Sequence, residues 1–326
     1  MKDSDISILI PTLSRPEFLL KNLNFLVKLN ANFNICICDS SPNIKKDFIN
    51  KLNKLSKIIN INYFHKPSLN DREAIFFLIE NCKTEYSAYL GDDDFFIPNG
   101  LINCADFLSK NFDYRVVYGK AILVDSQTIR KPNLSIKASK YWRSKSYQDS
   151  SSEQRLDNLS KNYHVNLFGV HRTKEFLEDF KPSSISPSKS MGEILVNYLT
   201  IAKGKGKFLP ETYLIRQAHR SRYLMPGNLR DILIEDSFAE SMPLFVSELA
   251  FVLNGEKVNK KESIKVSKKH LKKILKRYHS NQKFPKIINF PRKFYERVKN
   301  SLKNRIFMSS SYFYEFKNYL KIISNI

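Results

Sequence analysis

Three adjacent carboxylates, Asp92, Asp93 and Asp94, follow the short apolar run of residues 86–91, Tyr-Ser-Ala-Tyr-Leu-Gly. A run of that length reads as a buried strand, which delivers all three acids to one end of a sheet. Like charges about 4 Å apart repel by roughly 1 kcal/mol in water and by more in a cleft, so a cation belongs beside them. Mg²⁺ or Mn²⁺ suits such a set, since hard divalent ions take carboxylate oxygens. The competing reading is an acidic turn, with one Asp capping a helix that starts near Gly100. Three acids at the carboxyl end of a strand nevertheless lie where open α/β sheets bind ligands. A second strand-like run, residues 33–38, also ends in an acid, Asp39, where an Asx turn before Ser40-Ser41-Pro42 is the alternative. Farther along, Glu193 opens an apolar-striped helix three residues after Ser190, which suits either a general base or a capping box. His219 lies among Arg216, Arg220 and Arg222, an imidazole with cations fit to neutralise phosphate. The stretch Lys203-Gly-Lys-Gly-Lys207 reads as a basic turn, too short and wrongly spaced to cradle phosphates.

The elements that must position these groups follow from periodicity. Residues 6–11 read as a strand, and Ser14 with Glu17 reads as a capping box opening a helix with Phe18, Leu19, Leu23, Leu26 and Val27 on one face. Strands are expected at 33–38 and 58–64, and a helix over 70–81 with Ala74, Ile75, Leu78 and Ile79 inward. Strand, helix, strand, helix, strand, helix, strand is the pattern of an α/β fold with a mostly parallel sheet flanked by helices. In the second half, strands are expected at 114–124 and 165–170, helices over 174–180 and from Ser190 onward, and strand pieces at 208–210 and 213–216. The polar segment 125–152 holds the sole Trp, Trp142, and reads as a mobile loop over the site, with Trp142 placed either to stack on a sugar or to pack.

These residues together resemble the family 2 nucleotide-sugar glycosyltransferases of the GT-A fold. The resemblance rests on Ile8-Leu-Ile-Pro-Thr12, the strand ending at Asp39, the Arg72 segment and Leu90-Gly-Asp-Asp-Asp94, and it extends over roughly residues 6–219. It implies an inverting, metal-dependent transfer of a sugar from a nucleoside diphosphate, a UDP-sugar foremost, to a glycan or lipid-linked glycan of a bacterial surface. By motif position it puts Pro11, Thr12, Arg15, Asp39, Arg72, Asp92, Asp93 and Arg216 on the nucleotide sugar. It puts Asp92, Asp94 and His219 on Mn²⁺ or Mg²⁺, and makes Glu193 the base that deprotonates the acceptor hydroxyl. Two departures stand out. Gly91 occupies the place where many relatives carry an Asp, so the ligand pair is either Asp92 with Asp94 or centres on Asp93, and Glu193 is followed by Ile194 rather than Asp. On this reading, removing Asp92 or Asp94 abolishes transfer and leaves the fold intact.

The net charge of +22 is lopsided: residues 255–326 hold 20 Lys and Arg against 4 Glu, hence +16 of it. After Pro226 only helical patterns appear, with apolar stripes at Leu271, Ile274, Leu275 and Tyr278, at Phe294, Val298, Leu302 and Ile306, and at Tyr312, Phe316, Tyr319, Leu320 and Ile323. Stripes bordered by Lys and Arg suit an anionic membrane surface, and equally suit packing on the preceding domain. The expected organisation is a glycosyltransferase domain over 1–225 (nucleotide-sugar half 1–98, acceptor half 99–225) and a basic helical region over 226–326. Cys36, Cys38, Cys82 and Cys104 lack paired metal-site spacing and read as core residues of a reducing compartment. With no apolar stretch long enough to span a bilayer, the expected location is the cytoplasm, peripheral at the inner face of the cell membrane. A nucleotidyltransferase would share the strand-end acids, but it usually carries a Gly-rich loop after its first strand, and residues 11–15 contain no Gly. A basic nucleic-acid binder would leave the buried approach to Asp92–Asp94 without a purpose.

Overall fold

Helices sheathe both faces of the first two strands, which is why those strands read as nearly unbroken apolar runs. The computed structural model describes residues 2–125, 137–141, 145–219, 237–255, 260–280 and 307–326. The chain opens with β1 (Ile6–Thr12), α1 (Pro16–Lys28), β2 (Asn34–Asp39), α2 (Lys46–Leu55), β3 (Ile61–His65), α3 (Asp71–Glu80) and β4 (Tyr86–Tyr89). Ile8, Ile10, Ile35 and Ile37 pack beneath Leu19, Leu23, Phe48 and Leu52 of α1 and α2. Leu9, Cys36 and Cys38 face the other way, onto Ala74, Ile75 and Leu78 of α3. All four cysteines are free, and three of them are buried.

The second half contributes β5 (Phe95–Phe96), α4 (Pro98–Lys110), β6 (Tyr114–Asp125), β7 (Ala138–Lys140), α5 (Ser152–Lys161), β8 (Val170–Arg172), α6 (Thr173–Ser184), α7 (Lys189–Lys203) and β9 (Lys205–Ala218). The sheet runs β3-β2-β1-β4-β8-β6-β9-β5, with β7 added alongside β6. It is parallel from β3 to β4, and β8 then inserts antiparallel to both β4 and β6. Registers Thr12↔Asp39 and Asp39↔His65 bring the first three strands to a common carboxyl edge. The antiparallel pair Phe95↔Ile215 folds the end of β9 back beside the residues that follow β4.

Several local expectations change in three dimensions. Ser14 is no cap: it sits at φ 55 and donates its N–H to Ser41 Oγ at 2.7 Å, while α1 begins at Pro16 after Arg15. The helix near Gly100 starts at Pro98 after Ile97, so no Asp caps it. Residues 165–169 are not strand, because Asn197 Oδ1 accepts from the N–H groups of Asn166 and Leu167 and takes the place of a strand neighbour. The basic turn is instead the end of α7 at Lys203, its C-cap Gly204 and the start of β9, paired to β6 from Tyr114↔Lys205 onward, with the register slipping between Tyr118 and Lys120 where Pro210 lacks an N–H.

The C-terminal helices are α8 (Phe238–Asn254), α9 (Lys260–Ser280), α10 (Ser311–Tyr314) and α11 (Lys317–Ser324). Their apolar stripes pack inward. Phe313, Phe316, Leu320 and Ile323 join Phe25, Phe95, Ile97, Ile122 and Ile215 in one buried cluster. Val266 and Ile274 of α9 belong to the main core, and Lys273 meets Asp157 of α5 at 2.6 Å. The stripe from Phe294 to Ile306 and the side chain of Tyr278, like Trp142, Arg220 and Arg222, lie outside what is described. Among the described residues no helix is long and apolar enough to cross a membrane.

Two buried histidines set an acid limit. Burial pulls His171 and His270 down to about 4, below their ordinary value of 6.5. The unfolded chain therefore takes up these protons first, and the stability present above pH 6.5 is lost as pH falls toward 4. His171 stacks on Phe176 at 4.3 Å, and among the described residues its ring nitrogens make no hydrogen bond of good geometry, although Asp179 and the Asn166 and Leu167 backbone nearby favour the charged form. His171→Phe should accordingly hold its melting temperature better than the parent between pH 6.5 and 4.5, as read by calorimetry.

Candidate active site

Leu90 N–H donates to Leu9 O at 2.9 Å, which prolongs β4 by one residue before the chain turns through Gly91, where Asp94 N–H reaches Gly91 O at 3.1 Å. A Cβ on Gly91 would fall 2.8 Å from Asp93 Oδ1, so this turn, with Asp93 as it points here, has no room for a side chain at that position. The three acids diverge. Asp92 accepts from Thr12 Oγ1 at 2.7 Å and pairs with Arg15, whose other amino group lies 3.6 Å from Asp93. Asp93 meets His219 Nε2 at 2.5 Å. Asp94 turns the opposite way, accepting from Arg216 Nε at 2.6 Å and from the Gln217 N–H at 2.9 Å, while its carbonyl takes the Asn22 amide at 2.5 Å.

The resemblance puts the metal on Asp92, Asp94 and His219, with Asp93 as the alternative ligand. The structure engages Asp92 and Asp94 with Arg15 and Arg216 and puts Asp93 opposite His219. All three acids are buried, and proximity decides their partners: Asp92 lies against Arg15 and Asp94 against Arg216, and a buried carboxylate is held by the nearest guanidinium. Burial pushes Asp92 up to about 7 despite Arg15, and the neighbouring Asp93 and Asp94 add to the rise. Burial would lower the Arg216 guanidinium, but Asp94 and Tyr141 hold it above its usual range. Arg216 donates to Tyr141 Oη at 2.5 Å and lies 4.0 Å over the Phe168 ring. Phe18 stacks on His219 at 4.9 Å.

Asp39 forms the Asx turn: its Oδ1 accepts from Ser41 N–H at 2.8 Å and its Oδ2 from Tyr63 Oη at 2.7 Å. Each oxygen keeps a further lone pair, so the turn does not preclude a ligand contact. Pro11 and Thr12 lie beside it, with Ser40 N–H bonded to Thr12 O at 2.9 Å.

Glu193 does not cap its helix. Ser188 is the N-cap of α7, its hydroxyl accepting from Met191 N–H at 3.2 Å, which puts Glu193 a turn further in. It lines a cavity of about 60 Å³ together with Asp71, Arg72, Tyr89, Lys189 and Ser190. Arg72 thus sits with Glu193, its stem held against Gly192, where a Cβ would fall 3.3 Å from Arg72 Cδ. Tyr63, Tyr141, Gln217 and Lys189 were not singled out in the sequence. Gln217 follows Arg216 and Lys189 precedes Ser190, whereas nothing near Tyr63 in the chain marks it.

Two side chains, Asp93 and His219, offer donors toward a shared point, and among the described residues no cluster of three His, Cys, Asp or Glu forms a metal cage. Neighbouring ligands of an octahedral ion sit about 3 Å apart, so this pair fits a divalent ion after opening by roughly 0.5 Å, the remaining positions falling to water and phosphate oxygens.

The chain matches the family described as glycosyl transferase family 2 over residues 7–169. That span includes Thr12, Arg15, Asp39, Arg72 and the three acids, and ends before Glu193, Arg216 and His219. No curated protein sequence matches. Among solved structures, S. aureus TarS 1–349 is 13% identical, with 85% of this chain and 72% of that one covered and a TM-score of 0.58. The same protein in complex with UDP-GlcNAc is 14% identical over 90% and 78% at a TM-score of 0.59, and in complex with UDP 14% identical over 83% and 71% at 0.53. At such identities the likeness is one of fold, and it bears out the GT-A architecture.

Proposed function

The chain belongs to glycosyl transferase family 2, and from that premise we propose that it moves a sugar from a nucleoside diphosphate, a UDP-sugar in particular, to a hydroxyl of a glycan or lipid-linked glycan with inversion at the anomeric carbon. The observation that carries this reading is the cluster at the carboxyl edge of the parallel strands: Asp93 with His219 beside Thr12, Asp39 and two guanidinium groups. The complexes of TarS with UDP and UDP-GlcNAc favour a uridine donor.

In this scheme Asp39 and Thr12 receive the nucleoside, and Arg15 and Arg216 lie near the diphosphate. Asp93 and His219 would hold Mn²⁺ or Mg²⁺, which supplies Lewis-acid stabilisation of the departing diphosphate. Glu193 takes the proton of the attacking hydroxyl. Exposed Lys261, Lys265, Lys268, Lys272 and Lys276 share the face of α9 opposite the buried Val266, His270 and Ile274, and that basic face suits the anionic inner surface of a membrane.

Thermal melting with UDP, with and without Mn²⁺, tests the donor assignment. Ligand at 100 times its Kd adds about 2.7 kcal/mol of stability, so a melting-temperature rise that needs both UDP and Mn²⁺ is expected. Indifference to every nucleoside diphosphate would remove the basis for a nucleotide-sugar donor.

A further inference from the structure

Among the described residues Phe18 joins none of the buried apolar clusters, although Leu19 and Leu23 beside it lie in the main core and Phe25 packs under the C-terminal helices. Its ring is half-buried and does other work. Phe18, Asn22 and Phe25 recur at i, i+4 and i+7 and so share one face of α1. That face meets the acid turn and the strands beside it: Phe25 packs edge-on against Phe95 at 5.1 Å, the Asn22 amide donates to the Asp94 carbonyl at 2.5 Å, and the Phe18 ring stacks on the His219 imidazole at 4.9 Å with the planes 21° apart. The Arg15 guanidinium lies over the same ring at 5.6 Å. His219 Nε2 and Arg15 Nη1 reach one oxygen, Asp93 Oδ2, at 2.5 and 3.6 Å, so Phe18 lies against both groups that converge on that carboxylate.

The two groups differ in how they are held. Arg15 is also paired with Asp92, whereas His219 stands one residue past Ala218, the last paired residue of β9, where the strand ladder no longer sets its orientation. A ring stacked on an aromatic carried by a helix loses its freedom to turn, and such a pair is favourable beyond the area it buries. Leu19 and Leu23 fix that helix in the core, so the surface offered to His219 is rigid. We infer that Phe18 is a positioning residue for the divalent ion: its ring holds the His219 imidazole with Nε2 facing Asp93, so that both donors stand arranged before the cation arrives. This rests on the reading of Asp93 and His219 as the ligands that the protein supplies. Phe18 itself touches no ion and acts through His219, whose Nε2 lies on the ring edge and is left open by a face-on stack.

The test is Mn²⁺ binding to the full chain at saturating UDP, followed by the paramagnetic resonance signal of free Mn²⁺, for the parent, Phe18→Leu, Phe18→Tyr and His219→Ala. Leu keeps apolar bulk on α1 without a π face, and Tyr restores the ring. Phe18→Leu should weaken Mn²⁺ binding about three- to tenfold, the size of one aromatic stack, while Phe18→Tyr stays within about twofold of the parent and His219→Ala loses the site. Melting temperature and UDP affinity in EDTA should match the parent in Phe18→Leu, because α1 packs through Leu19 and Leu23 and Arg15 keeps Asp92. Unchanged Mn²⁺ affinity in Phe18→Leu overturns the role, as does a loss that Phe18→Tyr does not restore. A loss matched by equal falls in melting temperature and metal-free UDP affinity overturns it too, since Phe18 would then serve packing alone. If the parent binds no Mn²⁺ with UDP, or His219→Ala binds it as the parent does, the ligand reading fails and the role of Phe18 falls with it; a loss confined to His219→Ala keeps that reading and removes Phe18 alone.

Discussion

Glu193→Gln is expected to lower kcat by about 100-fold or more while leaving UDP affinity and melting temperature near those of the parent, because a general base contributes roughly 10²–10⁴-fold and an amide of the same shape cannot take the proton. The experiment is clean because α7 is capped by Ser188 and not by Glu193, so exchanging the carboxylate for an amide removes no cap. The hydrogen bond from the Asn197 amide at 2.6 Å goes to the Glu193 backbone carbonyl and survives the change. The acid limb of the pH–kcat profile, which reports the base in the substrate complex, should vanish with it. Near-normal turnover in Glu193→Gln would leave this carboxylate a structural part of the cavity wall and would send the search for the base elsewhere.

The chemistry-bearing residues were legible because each belongs to a local pattern. A buried strand followed by charge gave Asp92–Asp94 and Asp39, and alternating strands and helices gave the parallel half of the sheet. Their partners were not legible, because they depend on chain paths across the sheet. Asp93 meets His219 at a separation of 126 residues and Asp94 meets Arg216 at 122, and both meetings follow from the pairing of Phe95 with Ile215. No periodicity within β9 announces that it returns beside β5. Capping motifs misled for a related reason. Ser14-x-x-Glu17 and Ser190-x-x-Glu193 have the right spacing, yet a hydrogen bond to Ser41 turns Ser14 into a left-handed conformation, and a cap two residues earlier absorbs Ser190 into the first turn of α7. At Asn70 the side chain accepts from Arg72 and Glu73 N–H while Glu73 reaches back to the Asn70 N–H, so the motif works where nothing tertiary competes for it. The C-terminal stripes carried both readings, membrane or packing, and the described helices direct theirs into the core because β5, β6 and β9 present a complementary apolar face.

Asp93→Asn and His219→Ala should each reduce Mn²⁺-stimulated turnover by about 10²–10³-fold, the cost typical of removing one electrostatic contact to a developing negative charge. Both should also abolish the Mn²⁺-dependent part of UDP binding, and His219→Ala, which takes the 2.5 Å partner from the buried Asp93 carboxylate, should lower the melting temperature of the free protein more than Asp93→Asn, whose amide carries no charge to strand. Asp94 is a different case. Its carboxylate is fully buried against Arg216, so Asp94→Ala strands a charged guanidinium, and breaking a buried pair in this way costs about 3–5 kcal/mol. The expectation that removing Asp94 would leave the fold intact therefore does not hold, and loss of activity in that variant would report unfolding as readily as chemistry. Asp92→Asn separates the remaining possibilities: it keeps an acceptor for the Thr12 hydroxyl, which now donates at 2.7 Å to Asp92, and it removes the charge that Arg15 neutralises. With the ion on Asp93 and His219, Asp92→Asn should retain Mn²⁺ stimulation, whereas stimulation lost in Asp92→Asn and kept in Asp93→Asn would move the ion to Asp92.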